Sequence, residues 1–170
     1  MNLKKYIYDV ENFPKPGIIF RDITPLLDNA NAFKHVIDQM AEFAVKVKAE
    51  KIAAPESRGF IFASALAYKL NLPFVLVRKP GKLPRETISE AYDLEYGTND
   101  VSIHKDAVKK GERVIVVDDL LATGGTVNAA SHLVERLGGE IAGLAFVIEL
   151  NDLNGRKALG NHEVLSLIKY

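Results

Sequence analysis

Apolar residues recur along this chain with two periods, and the periods alternate. Phe33, Val36, Ile37, Met40, Ala41, Ala44 and Val47 fall at helical spacing, and Lys51-Ile52-Ala53-Ala54 then reads as a short strand. The order repeats: Phe60, Ile61, Ala63, Leu66, Ala67 and Leu70 predict a helix that stops before Asn71-Leu72-Pro73, and Phe74-Val75-Leu76-Val77 predicts a strand. Further on, Val114-Ile115-Val116 reads as a buried strand, and Val127, Ala130, Leu133, Val134 and Leu137 mark a helix. Gly138-Gly139 suit a left-handed cap, and residues 141–148 form another apolar run of strand length. Such alternation predicts an α/β fold, a single-domain doubly wound parallel sheet, rather than a bundle or a sandwich.

Two stretches break the pattern. Residues 79–99 are polar and carry Pro80, Gly81, Pro84 and Gly97, which suggests a long excursion or hairpin. Residues 12–27 include Pro14, Pro16 and Pro25, which restrict both helix and ladder, so no regular element is expected there.

Composition narrows the classes of function. With 22 basic and 22 acidic side chains the 170-residue chain has no net field to draw it to nucleic acid or to an anionic membrane, so an anion site has to be local. No apolar run reaches the length of a membrane span and the opening Met1-Asn2-Leu3-Lys4-Lys5 leads into no apolar signal core, so a cytoplasmic protein is expected. There is no cysteine, and the 4 histidines are scattered without ligand spacing, which removes thiolate chemistry and makes a histidine metal site improbable.

The segment after Val114-Ile115-Val116 carries the chemistry. Val117-Asp118-Asp119-Leu120-Leu121 brings two adjacent carboxylates to the end of a strand, and Ala122-Thr123-Gly124-Gly125-Thr126 opens a helix. Glycines let backbone N–H groups converge on an anion, the helix dipole favours negative charge there, and two threonine hydroxyls add donors. No Walker or dinucleotide fingerprint is present, which leaves a phosphate monoester as the fitting anion. Asp118 and Asp119 repel one another unless hydroxyl donors or a cation lie between them, and ribose or a magnesium ion supplies those. The alternative is a solvated Asp119 beside an ordinary tight turn.

Residues 114–126 resemble the phosphoribosyl pyrophosphate signature of the type I phosphoribosyltransferase family. Residues 13–25 (Phe-Pro-Lys-Pro-Gly-Ile-Ile-Phe-Arg-Asp-Ile-Thr-Pro), Glu56-Ser57-Arg58-Gly59-Phe60, Gly81-Lys82-Leu83-Pro84 and Leu94-Glu95-Tyr96-Gly97 look like the branch of that family whose acceptor is adenine. Together these segments and their spacing span nearly the whole chain, with no departure at a motif position. The resemblance implies the family fold, with a small N-terminal hood over about residues 1–30 and a flexible lid over about 79–99. It implies purine salvage: adenine attacks the anomeric carbon of phosphoribosyl pyrophosphate, giving AMP and pyrophosphate, with Mg2+ as cofactor, in a homodimer.

Roles follow from the same resemblance. Asp118 and Asp119 hold ribose, and Ala122, Thr123, Gly124, Gly125 and Thr126 hold the 5-phosphate. Arg58 and Lys82, with Arg78 or Lys79, meet pyrophosphate. Glu95 protonates or hydrogen-bonds N7 of adenine as the N9 proton is lost, and Tyr96 orders the lid or lies near the leaving group. Phe20 stacks on adenine, Leu120 covers its other face, and the backbone of Ile19 and Arg21 reads its edge. Arg58 as a surface ion-pair partner and Phe20 as plain core are the ordinary alternatives. A relative using hypoxanthine, guanine or xanthine is the nearest rival enzyme. A purine-responsive DNA-binding regulator is the rival of another class, although no basic stripe for DNA is present.

Overall fold

The proline-bearing stretch 12–27 holds more regular structure than its sequence suggests. In the computed structural model, which describes residues 1–93 and 97–170, a strand β1 (Tyr8–Glu11) pairs antiparallel with β2 (Ile19–Asp22), and a short helix α1 (Thr24–Leu27) follows. Pro14 and Pro16 fall in the connection between the strands, where no ladder bond is lost. Gly17 takes φ +85° there, and its N–H donates to Asn12 Oδ1 at 2.9 Å. Pro25 occupies the first turn of α1, where a backbone donor is not needed. Asp22 ties that turn down, accepting from Thr24 N at 2.9 Å and from Thr24 Oγ1 at 2.7 Å. These elements belong to a compact unit, Met1–Gln39, whose buried residues include Leu3, Ile23, Leu26 and Val36. Helix α2 (Ala30–Lys46) begins in this unit and ends in the second, Met40–Tyr170.

The second unit is built on one five-stranded parallel sheet. Its elements run β3 (Lys51–Pro55), α3 (Arg58–Leu70), β4 (Phe74–Val77), β5 (Thr87–Asp93), β6 (Thr98–His104), β7 (Arg113–Leu121), α4 (Gly125–Arg136), β8 (Glu140–Glu149) and β9 (Val164–Lys169). The sheet order is β4-β3-β7-β8-β9, and every neighbouring pair is parallel. Ile52, Ala53 and Ala54 of β3 and 114–117 of β7 are wholly buried. Burial on both faces explains why these strands read as continuous apolar runs and not as alternation. From β3 the chain steps outward to β4 and later returns to β7 on the other side of β3. The winding therefore reverses between β3 and β7, and ligands of such sheets lie beyond the carboxyl ends at that reversal.

Helix α4 turns Val127, Ala130, Leu133 and Val134 into the core. It ends as its two glycines predict, but for two reasons. Gly138 is left-handed at φ +90°, whereas a β-carbon on Gly139 would come within 2.5 Å of Val108 Cγ1 and 2.9 Å of Val134 Cγ1. The excursion after Arg78 is a hairpin, β5 against β6, with Thr87 opposite His104 and Asp93 opposite Thr98. It reaches past residue 99, because Val101, Ser102 and Ile103 are buried at its far end. Strand β9 adds an edge from a segment, 164–169, too short and mixed to stand out in the sequence. No helix among the described residues is long and apolar enough to cross a membrane.

Candidate active site

Strand β7 continues to Leu121, so Asp118 and Asp119 lie inside its last four residues and not after them. Asp119 is 4% exposed, which rules out a solvated loop residue. Its Oδ2 lies 2.9 Å from Arg58 Nε, and its backbone N–H donates to Asp118 Oδ1 at 2.9 Å. Burial pushes the Asp118 carboxyl well above the usual carboxylate range, and the neighbouring Asp119 charge pushes it further. Burial raises Asp119 too, against the opposing pull of the Arg58 guanidinium. Arg58 is thus an ion-pair partner, but at the centre of a carboxylate cluster and not on an open surface.

Gly59 makes that contact possible. A β-carbon there would lie 2.9 Å from Asp118 Oδ1 and 3.0 Å from Val117 O, so only glycine lets the start of α3 approach β7 this closely. The sheet order brings together Arg58, the first residue of α3 after β3, and Asp119, on β7, across the reversal point.

Beyond Asp119 the chain turns into α4. Gly124 caps it at φ +87°, and no side chain caps the helix start. The first N–H groups of a 12-residue helix therefore face a cavity of about 70 Å³ lined by Asp118 and residues 120–127. Liquid water occupies about 30 Å³ per molecule, so the cavity is on the scale of a phosphate group. A larger cavity of about 650 Å³, lined by Thr24, Pro25, Leu27 and Asp28, lies in the N-terminal unit and gathers one carboxylate but no cation. Size is a poorer guide here than chemistry. The other loop glycines meet close neighbours: a β-carbon on Gly124 would lie 2.6 Å from Gly155 O, and one on Gly125 would lie 3.0 Å from Tyr92 Cδ2.

Of the predicted cations, Arg78 pairs through its side chain with Glu56, a residue to which the sequence assigns no role, and Lys79 and Lys82 join through their backbones. Glu56 Oε1 accepts from Lys79 N at 2.8 Å and pairs with Arg78 Nε at 3.2 Å, while Arg78 Nη1 donates to Lys82 O at 3.4 Å. The Lys79 backbone donor chiefly holds the Glu56 carboxyl below its usual range, with Arg78 assisting against desolvation. Arg78 is half-buried, and Lys79 and Lys82 are exposed. Glu56 stands beside Ser57-Arg58-Gly59 in sequence, but its partners lie more than twenty residues on, and no periodic signal links them.

The residues predicted to meet a purine divide between the units. Ile19, Phe20 and Arg21 lie on β2 in the N-terminal unit, and Leu120 lies on β7 in the other. Ile19 is 47% exposed, and Phe20 is half-buried with its ring edge-on to Phe13 at 5.2 Å between centroids. The Phe20 ring is thus only partly enclosed, unlike plain core. Arg21 pairs with Asp9 across the β1–β2 ladder. Glu95 and Tyr96 lie outside the described residues. Among the described residues no group of three or more His, Asp and Glu is arranged to hold a metal ion.

A parallel sheet with an acidic pair on its central strand, an arginine from the start of the neighbouring helix and an uncapped helix start defines a class of sugar-phosphate enzymes. The model of the phosphoribosyl transferase domain matches residues 23–167, and the chain belongs to the phosphoribosyltransferase family. Similar proteins include adenine phosphoribosyltransferases. The adenine phosphoribosyltransferase of Carboxydothermus hydrogenoformans is 58% identical over all 170 residues, covering 100% of both chains. The crystal structure of the Thermoanaerobacter pseudethanolicus adenine phosphoribosyltransferase is 53% identical and superposes with a TM-score of 0.96 over 99% of this chain and 98% of that one. The Saccharomyces cerevisiae enzyme, solved with adenine and an imino-altritol bisphosphate, is 42% identical with a TM-score of 0.91 over 97% and 96% of the two chains. The fold is the one the sequence predicts, an α/β doubly wound sheet of the type I phosphoribosyltransferases.

Proposed function

We propose that the chain transfers the phosphoribosyl group of phosphoribosyl pyrophosphate to N9 of adenine, releasing AMP and pyrophosphate in purine salvage. The observation that carries this reading is the Arg58–Asp119–Asp118 cluster beside the uncapped start of α4. In the reaction the bond from the anomeric carbon to pyrophosphate breaks, the bond from that carbon to N9 forms, and N9 loses its proton. Asp118 and Asp119 accept from the two ribose hydroxyls, which relieves the repulsion between them. Ala122, Thr123, Gly124, Gly125 and Thr126 receive the 5-phosphate with their N–H and hydroxyl donors. Arg58, held beside Asp119, meets the leaving pyrophosphate with its guanidinium charge, together with Arg78, Lys79 and Lys82.

We assign Phe20 to stacking on adenine, the backbone of Ile19 and Arg21 to reading its edge, and Leu120 to contact with the base. Glu95, on the lid over residues 79–99, donates to N7 as the N9 proton leaves. Lid closure excludes the water that would hydrolyse an oxocarbenium-like species. A Mg2+ ion would be held mainly by substrate oxygens, with Asp118 or Asp119 nearby. Such an ion would supply charge neutralisation of the pyrophosphate. We read the protein as a cytoplasmic homodimer; the exposed Ile61 and Tyr68 on α3 and Leu76 on the edge strand β4 support the second copy. We read residues 1–30 as the hood of a single 170-residue domain.

A panel of bases tests the reading. With magnesium and phosphoribosyl pyrophosphate, adenine should release pyrophosphate efficiently and hypoxanthine, guanine, xanthine and orotate should not. Faster turnover of another base would displace adenine, and no turnover with any base would favour a sensor.

A further inference from the structure

The loop proposed to seat the 5-phosphate is supported from behind by a segment remote from it in sequence. After β8 the chain makes two 3₁₀ turns, Asn151–Leu153 and Gly155–Leu159. Gly155 is buried directly beneath the loop. A β-carbon on it would run into Ala122 O and lie 2.9 Å from Leu121 Cδ1, while one on Gly124 would meet Gly155 O at 2.6 Å. Two glycine backbones therefore touch where neither loop has a side chain to adjust.

The next residue, Arg156, fixes that contact. Its Nε donates to Glu149 Oε1 at 2.6 Å and its Nη2 to Glu149 Oε2 at 2.8 Å, a two-point fork, and Nη2 also lies 3.2 Å from Ser166 Oγ. Ser166 donates to Glu149 Oε2 as well, and Lys169 Nζ stands 3.9 Å away. Glu149 is 5% exposed and lies opposite Leu121, the last residue of β7. Arg156 and its partners hold the Glu149 carboxyl down to about 2, so the clamp is charged throughout the working range. A buried carboxylate with every partner supplied is more than a surface pair, whose geometry solvent would loosen.

We propose that Arg156, through its fork on Glu149, is a positioning residue for the phosphate seat, holding Gly155 as the rigid floor against which Ala122 and Gly124 set their backbone donors. The proposal rests on the reading of 122–126 as the phosphate loop. It predicts a selective defect: the floor bears on the ribose phosphate half of the substrate and leaves the base untouched.

The test uses the full chain and ribose 5-phosphate as the probe. Arg156→Lys keeps the charge but loses the fork, and should raise the ribose 5-phosphate Kd and the KM for phosphoribosyl pyrophosphate about 10-fold, with kcat and the adenine KM within about 2-fold. Ser166→Ala, which leaves the ion pair in place, should show the same selectivity at about 2- to 3-fold, and it serves if the first variant folds poorly. Equal loss toward both substrates, or a lowered Tm with both constants unchanged, would overturn the proposal. Asp119→Asn separates the two layers of the argument. If it weakens ribose 5-phosphate binding while folded Arg156→Lys does not, the positioning role alone falls; if neither does, the reading of this end of β7 and its loop as the ribose 5-phosphate site falls with it.

Discussion

Gly59 lies so close to Asp118 that a β-carbon on the glycine would stand 2.9 Å from the aspartate's Oδ1. The first turn of α3 and the acidic end of β7 are therefore in backbone contact, and Arg58 is delivered to Asp119 by that contact. Gly59→Ala should push the two apart. We expect a stability loss of about 1 to 3 kcal/mol from overpacking and a fall in kcat/KM of about 10-fold. Thermal unfolding and steady-state kinetics on the same preparation check this, and an alanine variant with unchanged kinetics would show that the approach is not needed for activity.

Asp119→Asn removes the partner of Arg58 and an acceptor for ribose. A hydrogen bond to a charged group contributes about 1.5 to 3 kcal/mol, so the KM for phosphoribosyl pyrophosphate should rise about 10- to 100-fold. The adenine KM should move far less. An initial-rate study varying each substrate separates the two.

Proton linkage offers a third handle. Both carboxyls are raised by burial, Asp118 most strongly. A raised carboxyl leaves the ligand-free fold unpenalised below the ordinary value of 3.8, and costs stability progressively as pH rises from there to its folded value. Ribose hydroxyls or a divalent cation favour the ionised pair, so ligand binding should release protons and tighten as pH climbs through the same window. Calorimetry of ribose 5-phosphate in buffers of differing ionisation enthalpy measures the release, and Asp118→Asn should reduce it. Proton uptake on binding would contradict the assignment.

The clamp at Glu149 has the opposite sign. Its carboxyl is lowered from 4.5 to about 2, so its contribution is complete above 4.5 and is lost as pH falls toward 2. Allowing for solvent around the partly exposed Arg156, we expect acid to remove about 1 to 2 kcal/mol through this group. Glu149→Gln should flatten the dependence of denaturant stability on pH across that interval.

Glu95→Gln should lower kcat about 100-fold while the adenine KM changes little, as expected for a residue acting on a proton in the transition state. A pure KM effect would refute the proton role.

Much of the fold was legible because burial leaves a period. Strands β3, β7 and β8 are covered on both faces and read as unbroken apolar runs, and α4 shows its inward stripe at Val127, Ala130, Leu133 and Val134. Strand β2 was hidden by prolines that sit harmlessly in its connection, and β6 by its polar start, with burial only at Val101, Ser102 and Ile103. The site divides in the same way. Asp118, Asp119 and the loop 122–126 are contiguous, so their chemistry could be read from order alone. Glu56 with Arg78, and Glu149 with Arg156 and Ser166, are made by the fold from separate segments, and no spacing rule announces such pairs.

The reversal of winding between β3 and β7 has a practical corollary. Arg58 and Asp119 are 61 residues apart and meet only while those two strands are hydrogen-bonded side by side. Bringing their ends together is an entropic cost met once, by folding, and not again at each turnover. No partly unfolded form that separates β3 from β7 can keep half of the catalytic power. Residual activity during heating or denaturant titration is therefore a direct meter of how many molecules still have an intact central sheet.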